Sequence, residues 1–285
     1  MHFGYLTSFS VEQLITAREI GFDALEVHAA SWQAALEKGG KEIKQAAAEA
    51  KVLLGQYDIS ISALALYGNY LAGDPARAKK SYRAAIELAK HLGVKVIATI
   101  CGRQPDKSIA DNMPIFKKVF APIAQIAEDA GVCLAFENWP GGMNRAPYTG
   151  VNIAVSPQAW EMMFEAVPST ALGLEFDPSH LYWQEIDYIA AAKNFASRIY
   201  HVHAKDTEID YGRLAEVGYF GGGWWRYRIP GFGEIDWAEF ISTLSELGYD
   251  GGIAIEHEDP IYSGKKFKLG LQLGYNHLAP LIGTN

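Results

Sequence analysis

Residues 172–180 read LGLEFDPSH, and the fold turns on this stretch. Side chains alternate across a strand, so Leu172, Leu174 and Phe176 take one face and Gly173, Glu175 and Asp177 the other. Asp177 closes the apolar run, Pro178 turns the chain, and His180 follows in the turn. A carboxylate and an imidazole delivered together at a strand's carboxyl end suit a divalent metal or proton chemistry. The plainer alternative is an Asp177 that caps the next helix and a His180 on a surface turn. Three other strands that end in the same way weigh against it.

On both sides of this stretch a unit recurs in which an amphipathic helix ends at a glycine and a short apolar strand follows. It is visible in REIGFDALEVH (18–28), KHLGVKVIATI (90–100), EDAGVCLAFEN (128–138) and SELGYDGGIAIEH (245–257). Glycine just past a helix end takes the left-handed conformation that other residues resist. The alternation predicts parallel strands with helical crossovers. Strands are expected over 2–6, 24–28, 59–66, 95–101, 133–138, 172–177, 199–206 and 252–258. Between them, Ser10 and Gln13 read as a capping box, and Asp74-Pro75 and Ser156-Pro157 as N-caps followed by proline at the first helical position. Pro122 should kink its helix if it lies in the interior.

Eight such units predict a single-domain (β/α)8 TIM barrel over residues 1–285. The competitor is an open doubly wound sheet, but no GxGxxG or Walker loop follows any strand. The stretch 207–234, rich in glycine and aromatics, reads as a long irregular loop after strand seven. A loop of that length in a barrel is more often functional than accidental.

Composition excludes several function classes. The 285 residues carry a formal net charge of −8, with no basic run or stripe, so a nucleic acid is not an expected partner. No apolar run reaches membrane-spanning length and no signal peptide is apparent, so no membrane association is expected and a cytoplasmic location is the default. Cys101 and Cys133 sit in apolar runs outside any CxxC and read as buried free thiols. The sequence leaves assembly into a homo-oligomer open.

Barrel enzymes build their sites at the carboxyl rim of the strands. Strand five ends Phe136-Glu137-Asn138, strand six Phe176-Asp177, and strand eight Ile255-Glu256-His257-Glu258; strand seven reads Tyr200-His201-Val202-His203-Ala204-Lys205-Asp206. Small or polar residues share the parity of Glu137, His203 and Glu256, as a lumen face requires. Glu137, Asp177, His203 and Glu256 should therefore converge. Three carboxylates and one imidazole suit one Mn²⁺ or Mg²⁺ ion, and also Co²⁺ or Zn²⁺. Without a cation the carboxylates would repel strongly. Glu137 and Glu256 should face each other across the lumen. From there one removes a proton next to a carbonyl and the other returns it, through an enediolate that a metal stabilises.

At these residues the sequence resembles the sugar phosphate isomerase/epimerase family, the xylose-isomerase-like TIM barrels. The likeness runs over nearly the whole chain, through GFDALEVH, FEN, FDPSH, HVHAKD, PGFGEIDW and IEHED. It implies that Glu137, Asp177, His203 and Glu256 form the metal quartet, with Glu137 and Glu256 also the acid/base pair. It further implies that His180 contacts substrate hydroxyls. Ketose 3-epimerase relatives use an arginine soon after the strand-seven histidine. Here the nearest one downstream is Arg213, and Arg226 and Arg228 are the candidates for that role. Trp139 and Lys205 complete the expected substrate contacts.

The resemblance extends to AP endonucleases, which bind three metals through additional histidines. Strands three and four here end Ala65-Leu66-Tyr67 and Ile100-Cys101-Gly102 and offer none. The second metal site of xylose isomerase proper is not found either, so one ion is expected. The reading is a metal-dependent isomerase or epimerase of a sugar, keto-sugar or cyclitol. An alternative uses the same site as a dehydratase or lyase on inosose or 3-keto-glycosides. A non-catalytic sugar-binding barrel is a third, weaker reading. Glu175 is expected to partner a ligand or donate a proton, and His201 to be a satisfied core histidine. Glu26 and His28 are on the lumen parity and within reach of substrate. Trp32, Trp224 and Trp225 are loop aromatics that stack on sugar or simply pack.

Overall fold

The helix Pro75–Leu92 stops at Gly93, whose φ of 86° lets its N–H return to Ala89 O, and a strand starts three residues later. That device, repeated, builds the molecule, which the computed structural model describes over residues 1–141 and 150–283. Strands β1 (His2–Thr7), β2 (Ala24–His28), β3 (Ser60–Ala65), β4 (Val96–Thr99), β5 (Cys133–Glu137), β6 (Leu172–Phe176) and β7 (Ile199–Ala204) follow in order. After them come β8 (Asp206–Ile209), β9 (Trp225–Arg228) and β10 (Gly252–Ile255). Strands β1 to β7 and β10 are all parallel and close into one barrel, with β10 between β7 and β1. The fold is the expected single-domain (β/α)8 barrel.

Alternation sorts the side chains. On β6, Phe176 points outward and stacks on Phe240 of the helix Trp237–Glu246 at 5.7 Å, with Trp160 of the helix Pro157–Ala166 at 5.9 Å. Burying such a ring contributes roughly 1.5–3 kcal/mol. Glu175, on the opposite parity, is buried in the lumen. The helix caps at Ser10, Asp74 and Ser156 form, each side chain accepting a backbone N–H of the first turn, although the Gln13 side chain takes the Tyr5 hydroxyl instead of completing a capping box. The helix Ile109–Ala130 continues through both Pro114 and Pro122. Cys101 is buried, whereas Cys133, at the start of β5, is half-buried. No helix among the described residues is long and apolar enough to cross a membrane.

The stretch 207–234 corrects its reading as irregular. Strand β7 ends at Ala204, and β8 and β9 pair antiparallel as a ribbon around the short helix Tyr211–Val217. The cause is Asp206. Its buried carboxylate accepts the N–H groups of Thr207, Gly231 and Ile235 and the indole N–H of Trp237, at 2.9–3.0 Å. One side chain thus pulls the chain off the barrel and clamps both ends of the excursion.

Candidate metal and active site

The carboxyl ends of β5, β6, β7 and β10 bring Glu137, Asp177, His203 and Glu256 together, with one ligand atom from each lying within 4.8 Å of the others. Glu137 Oε1 is 3.4 Å and Glu256 Oε2 3.2 Å from His203 Nδ1, so the two acids flank the imidazole. Asp177 divides its work between its oxygens. Oδ1 accepts the Ser179 N–H at 2.8 Å and caps the helix Pro178–Tyr182, while Oδ2 is left for the quartet. Asp177 therefore caps a helix and also lies within the quartet. Asn138 holds it there, exchanging two 2.8 Å hydrogen bonds with the Asp177 backbone and tying the end of β5 to the end of β6.

The donor set fits a divalent cation on a further observation. Asp177 Oδ2 and His203 Nδ1 are buried and have no hydrogen-bond partner among the described residues. Buried polar atoms are almost always satisfied. Two such atoms aimed into one acidic cluster fit a divalent cation.

Two neighbours edge the quartet. His180 is fully buried, not a surface residue; its Nε2 lies 3.3 Å from Glu137 Oε1 and 3.2 Å from Asp177 Oδ2. Its Nδ1 meets the Tyr227 hydroxyl at 2.8 Å. The Lys205 ammonium bonds Glu256, lies 3.3 Å from Asp177 Oδ2 and 3.1 Å from Glu258 Oε2, and sits 4.4 Å over the Tyr227 ring. Above them opens a cavity of about 180 Å³ lined by Tyr67, Ile100, Glu137, Trp139, Lys205, Glu256 and Glu258. A larger groove of about 720 Å³, between the segment 182–193 and the helix Tyr211–Val217, touches none of the quartet, so size does not mark the site here.

The two flanking acids are electrostatically unlike. Burial, with the Glu256 charge adding to it, pushes Glu137 up to about 8. Burial acts on Glu256 too, but the Lys205 ammonium and then His203 outweigh it and hold that carboxyl well below its usual value. Burial and Lys205 lower His180 well below the usual imidazole value, leaving it neutral at pH 7.

A second layer lies beneath. His203 Nε2 is 2.9 Å from Glu26 Oε2 and 3.2 Å from Glu175 Oε1. Glu175 Oε1 also meets His201 Nδ1 at 3.0 Å, and His201 Nε2 meets the Ser62 hydroxyl at 3.0 Å. The Tyr67 hydroxyl reaches Glu26 Oε1 at 3.0 Å and Glu175 Oε2 at 2.8 Å. Gly252 leaves room for this layer; a Cβ there would lie 2.5 Å from Ser62 Cβ and 2.8 Å from His201 Nε2. His201 is satisfied, as expected, and Glu175 partners a quartet residue. Glu26, placed near substrate by its parity alone, lies instead behind His203.

Arg226 and Arg228 do not reach the cavity. Ribbon register sets Arg226 opposite Glu208, whose oxygens it contacts at 2.9–3.1 Å, and Arg228 is bonded to Asp259 at 2.7 Å and to Glu208. The residue between them, Tyr227, points the other way, toward His180 and Lys205. Trp225, on Tyr227's parity, stacks on Trp183 at 4.9 Å. The period-two pattern in WRYR carried this signal, but only a strand assignment makes it readable. Trp32 and Trp224 are buried packing residues, and Trp139 lines the cavity.

A family model described as "Xylose isomerase-like TIM barrel" matches residues 14–276. The uncharacterized protein YfiH of Bacillus subtilis is 28% identical over 279 residues, covering 87% of this chain and 88% of that protein. An inosose dehydratase of Halalkalibacterium halodurans is 25% identical over 215 residues, covering 68% of this chain and 67% of its own. Among solved structures, the IolI protein with a bound zinc atom superposes with a TM-score of 0.73 at 19% identity, over 99% of this chain and 98% of that one.

Proposed function

Because the chain belongs to the xylose isomerase-like TIM barrel family, we propose that it is a divalent-metal-dependent isomerase or epimerase. It moves a proton on the carbon next to a carbonyl of a sugar, keto-sugar or cyclitol. The observation that carries this reading is the convergence of Glu137, Asp177, His203 and Glu256 with two of their ligand atoms orphaned. These four hold the ion. Three oxygens and one nitrogen favour Mn²⁺, with Mg²⁺, Co²⁺ and Zn²⁺ as alternatives. The zinc reported for the IolI protein supports a divalent ion in this fold. When bound, such an ion supplies Lewis-acid polarisation of the substrate carbonyl.

The chain's own residues do the rest. Glu137, held up to about 8 in the metal-free chain, would lose its proton when the ion binds and then acts as the base that removes the substrate proton. Glu256, on the other side of His203 and bonded to the Lys205 ammonium, passes that group's proton to the opposite face or to the neighbouring carbon. His180, its Nδ1 fixed by Tyr227, offers Nε2 to a substrate hydroxyl. Trp139 and Tyr67 wall the cavity and exclude water around the reacting carbon.

A second reading, dehydration of an inosose or elimination from a 3-keto-glycoside, is favoured by one contact. Lys205 is bonded to Glu256, so an ammonium is at hand to protonate a departing oxygen while Glu137 acts as base. The named activity of the inosose dehydratase relative supports it as well.

Incubation of the metal-loaded protein with keto-sugars and inososes in D₂O separates the readings. One deuterium incorporated with the skeleton intact supports proton transfer. Loss of one water or of an aglycone supports elimination. Absence of both, with and without added Mn²⁺, overturns the assignment.

A further inference from the structure

The inner layer of the lumen resembles a second metal site in composition, since Glu26, Glu175, His201 and His203 also place ligand atoms within 4.8 Å of one another. Its hydrogen bonds say otherwise. Every polar atom of its side chains except His203 Nδ1 has a hydrogen-bond partner. Tyr67 bridges the two carboxylates, His201 lies between Glu175 and Ser62, and the side chains are fully buried. A network of this kind holds its carboxylates with N–H and O–H donors, without calling on a cation. It has one open end, which is His203. That imidazole is shared by both layers, and its nitrogens face opposite ways. Nε2 looks down at Glu26 and Glu175, and the orphaned Nδ1 looks up into the quartet.

Two carboxyl groups can accept from Nε2 only if that nitrogen carries the proton. The proton there leaves the lone pair on Nδ1, so the layer below decides which nitrogen is offered above. An anionic acceptor on the far nitrogen also pushes electron density through the ring and makes the near nitrogen a better donor. We propose that Glu26 and Glu175 are positioning residues for the metal. They hold His203 as the Nε2–H tautomer, present Nδ1 as the ligand, and strengthen it, so that the inner layer sets the affinity and the selectivity of the ion above it. The proposal rests on the metal-dependent reading of the quartet and extends it to residues that touch neither ion nor substrate.

Selectivity follows from the mixed donor set. A strengthened imidazole benefits ions that favour nitrogen, such as Zn²⁺ and Co²⁺, more than Mg²⁺, which favours oxygen. Weakening the inner layer should therefore cost Zn²⁺ and Co²⁺ binding most.

The test is metal titration of the full chain and its Glu26→Gln and Glu175→Gln variants, each nearly isosteric with the native residue. The fold of each metal-free variant is checked by circular dichroism. Loss of an outer partner of this kind typically costs roughly 10–100-fold in metal affinity. We expect that loss for Zn²⁺ and Co²⁺, a smaller one for Mg²⁺, and a shifted visible absorption band for bound Co²⁺. Affinities within twofold of wild type in both variants, with an unchanged Co²⁺ band, would overturn the proposal. Long-range ¹H–¹⁵N correlation of the zinc-loaded wild type needs no variant. It should find His203 protonated at Nε2 and bound through Nδ1, and the reverse assignment also overturns the proposal. A wild-type chain that takes up no divalent ion is a distinct outcome. It removes the metal-dependent reading and the inner layer's role with it.

Discussion

The two layers of the barrel lumen have nearly the same side chains and opposite chemistry. Above, Glu137, Asp177, His203 and Glu256 leave two buried atoms without a hydrogen-bond partner among the described residues; below, Glu26, Glu175, His201 and His203 close on one another through Tyr67 and Ser62. The lower layer has hydroxyls and N–H groups for its oxygens, whereas the upper one has the Ser179 N–H on Asp177 Oδ1, with Lys205 and His180 at its edge. The difference teaches that clustered acids and histidines do not make a metal site. What marks one is the ligand atoms left over after the hydrogen bonds are counted.

The hardest blow to this contrast would be an upper layer that tolerates loss of a carboxylate. Glu256→Gln keeps the shape and removes the charge. General acid–base catalysis is worth about 10²–10⁴-fold, so turnover should fall by at least about 10²-fold, with an unchanged circular dichroism spectrum. Full activity in the variant would sink the assignment of the upper layer.

Metal removal tests the same layer without mutation. An ion that binds only the folded chain stabilises it by about 4 kcal/mol at a thousand times its dissociation constant. Calorimetry should show the melting temperature falling on chelation and returning with one divalent ion per chain. Two or three ions per chain would mean that the lower layer binds as well.

The pH dependence of metal uptake sharpens the contrast further. Glu137, held up to about 8 chiefly by burial, carries a proton at pH 7 in the metal-free chain. Burial disfavours the His203 imidazolium, but Glu175 and Glu26 outweigh it and hold His203 protonated well above the usual value. Both protons must leave before the ion is held. A raised folded-state value means binding improves as pH rises. The affinity should therefore climb as pH rises toward about 8, where Glu137 gives up its proton. Titration calorimetry in buffers of different ionisation enthalpy reads the proton count directly. Glu137→Gln should release about one proton fewer below pH 8 and show no such difference well above it.

Much of this was legible in the sequence, and the limit is physical. Strands such as 172–177 declare themselves because alternation and a glycine-stopped helix are local signals. Parity then places Glu137, His203 and Glu256 on the lumen face. Three features were not legible. The ribbon depends on Asp206 bonding to groups about 25 and 30 residues away, which no local pattern records. The arginines were placed by nearness in sequence, and cross-strand register gave them to Glu208 and Asp259 instead. Glu26 has the parity of a lumen residue, but its depth, which makes it a partner of His203, is set by the stagger of β2 against β7 across the barrel.

The smallest expected effect belongs to the lower layer. The Tyr67 hydroxyl touches both Glu26 and Glu175, and one proton cannot serve two anionic acceptors. Burial and then Glu175 push Glu26 up, while the imidazoles outweigh burial at Glu175 and hold it down to about 2. Glu175, the nearer acceptor at 2.8 Å and the one held low, therefore takes the Tyr67 proton. Tyr67→Phe removes that donor and leaves a buried acceptor unsatisfied, which costs about 1–3 kcal/mol. Urea unfolding of the metal-free variant should show that loss, while the metal-loaded variant still binds one ion per chain. A Tyr67→Phe protein as stable as wild type would mean that the lower layer is held by packing alone. Its claim to direct the nitrogen of His203 would then lose its mechanical basis.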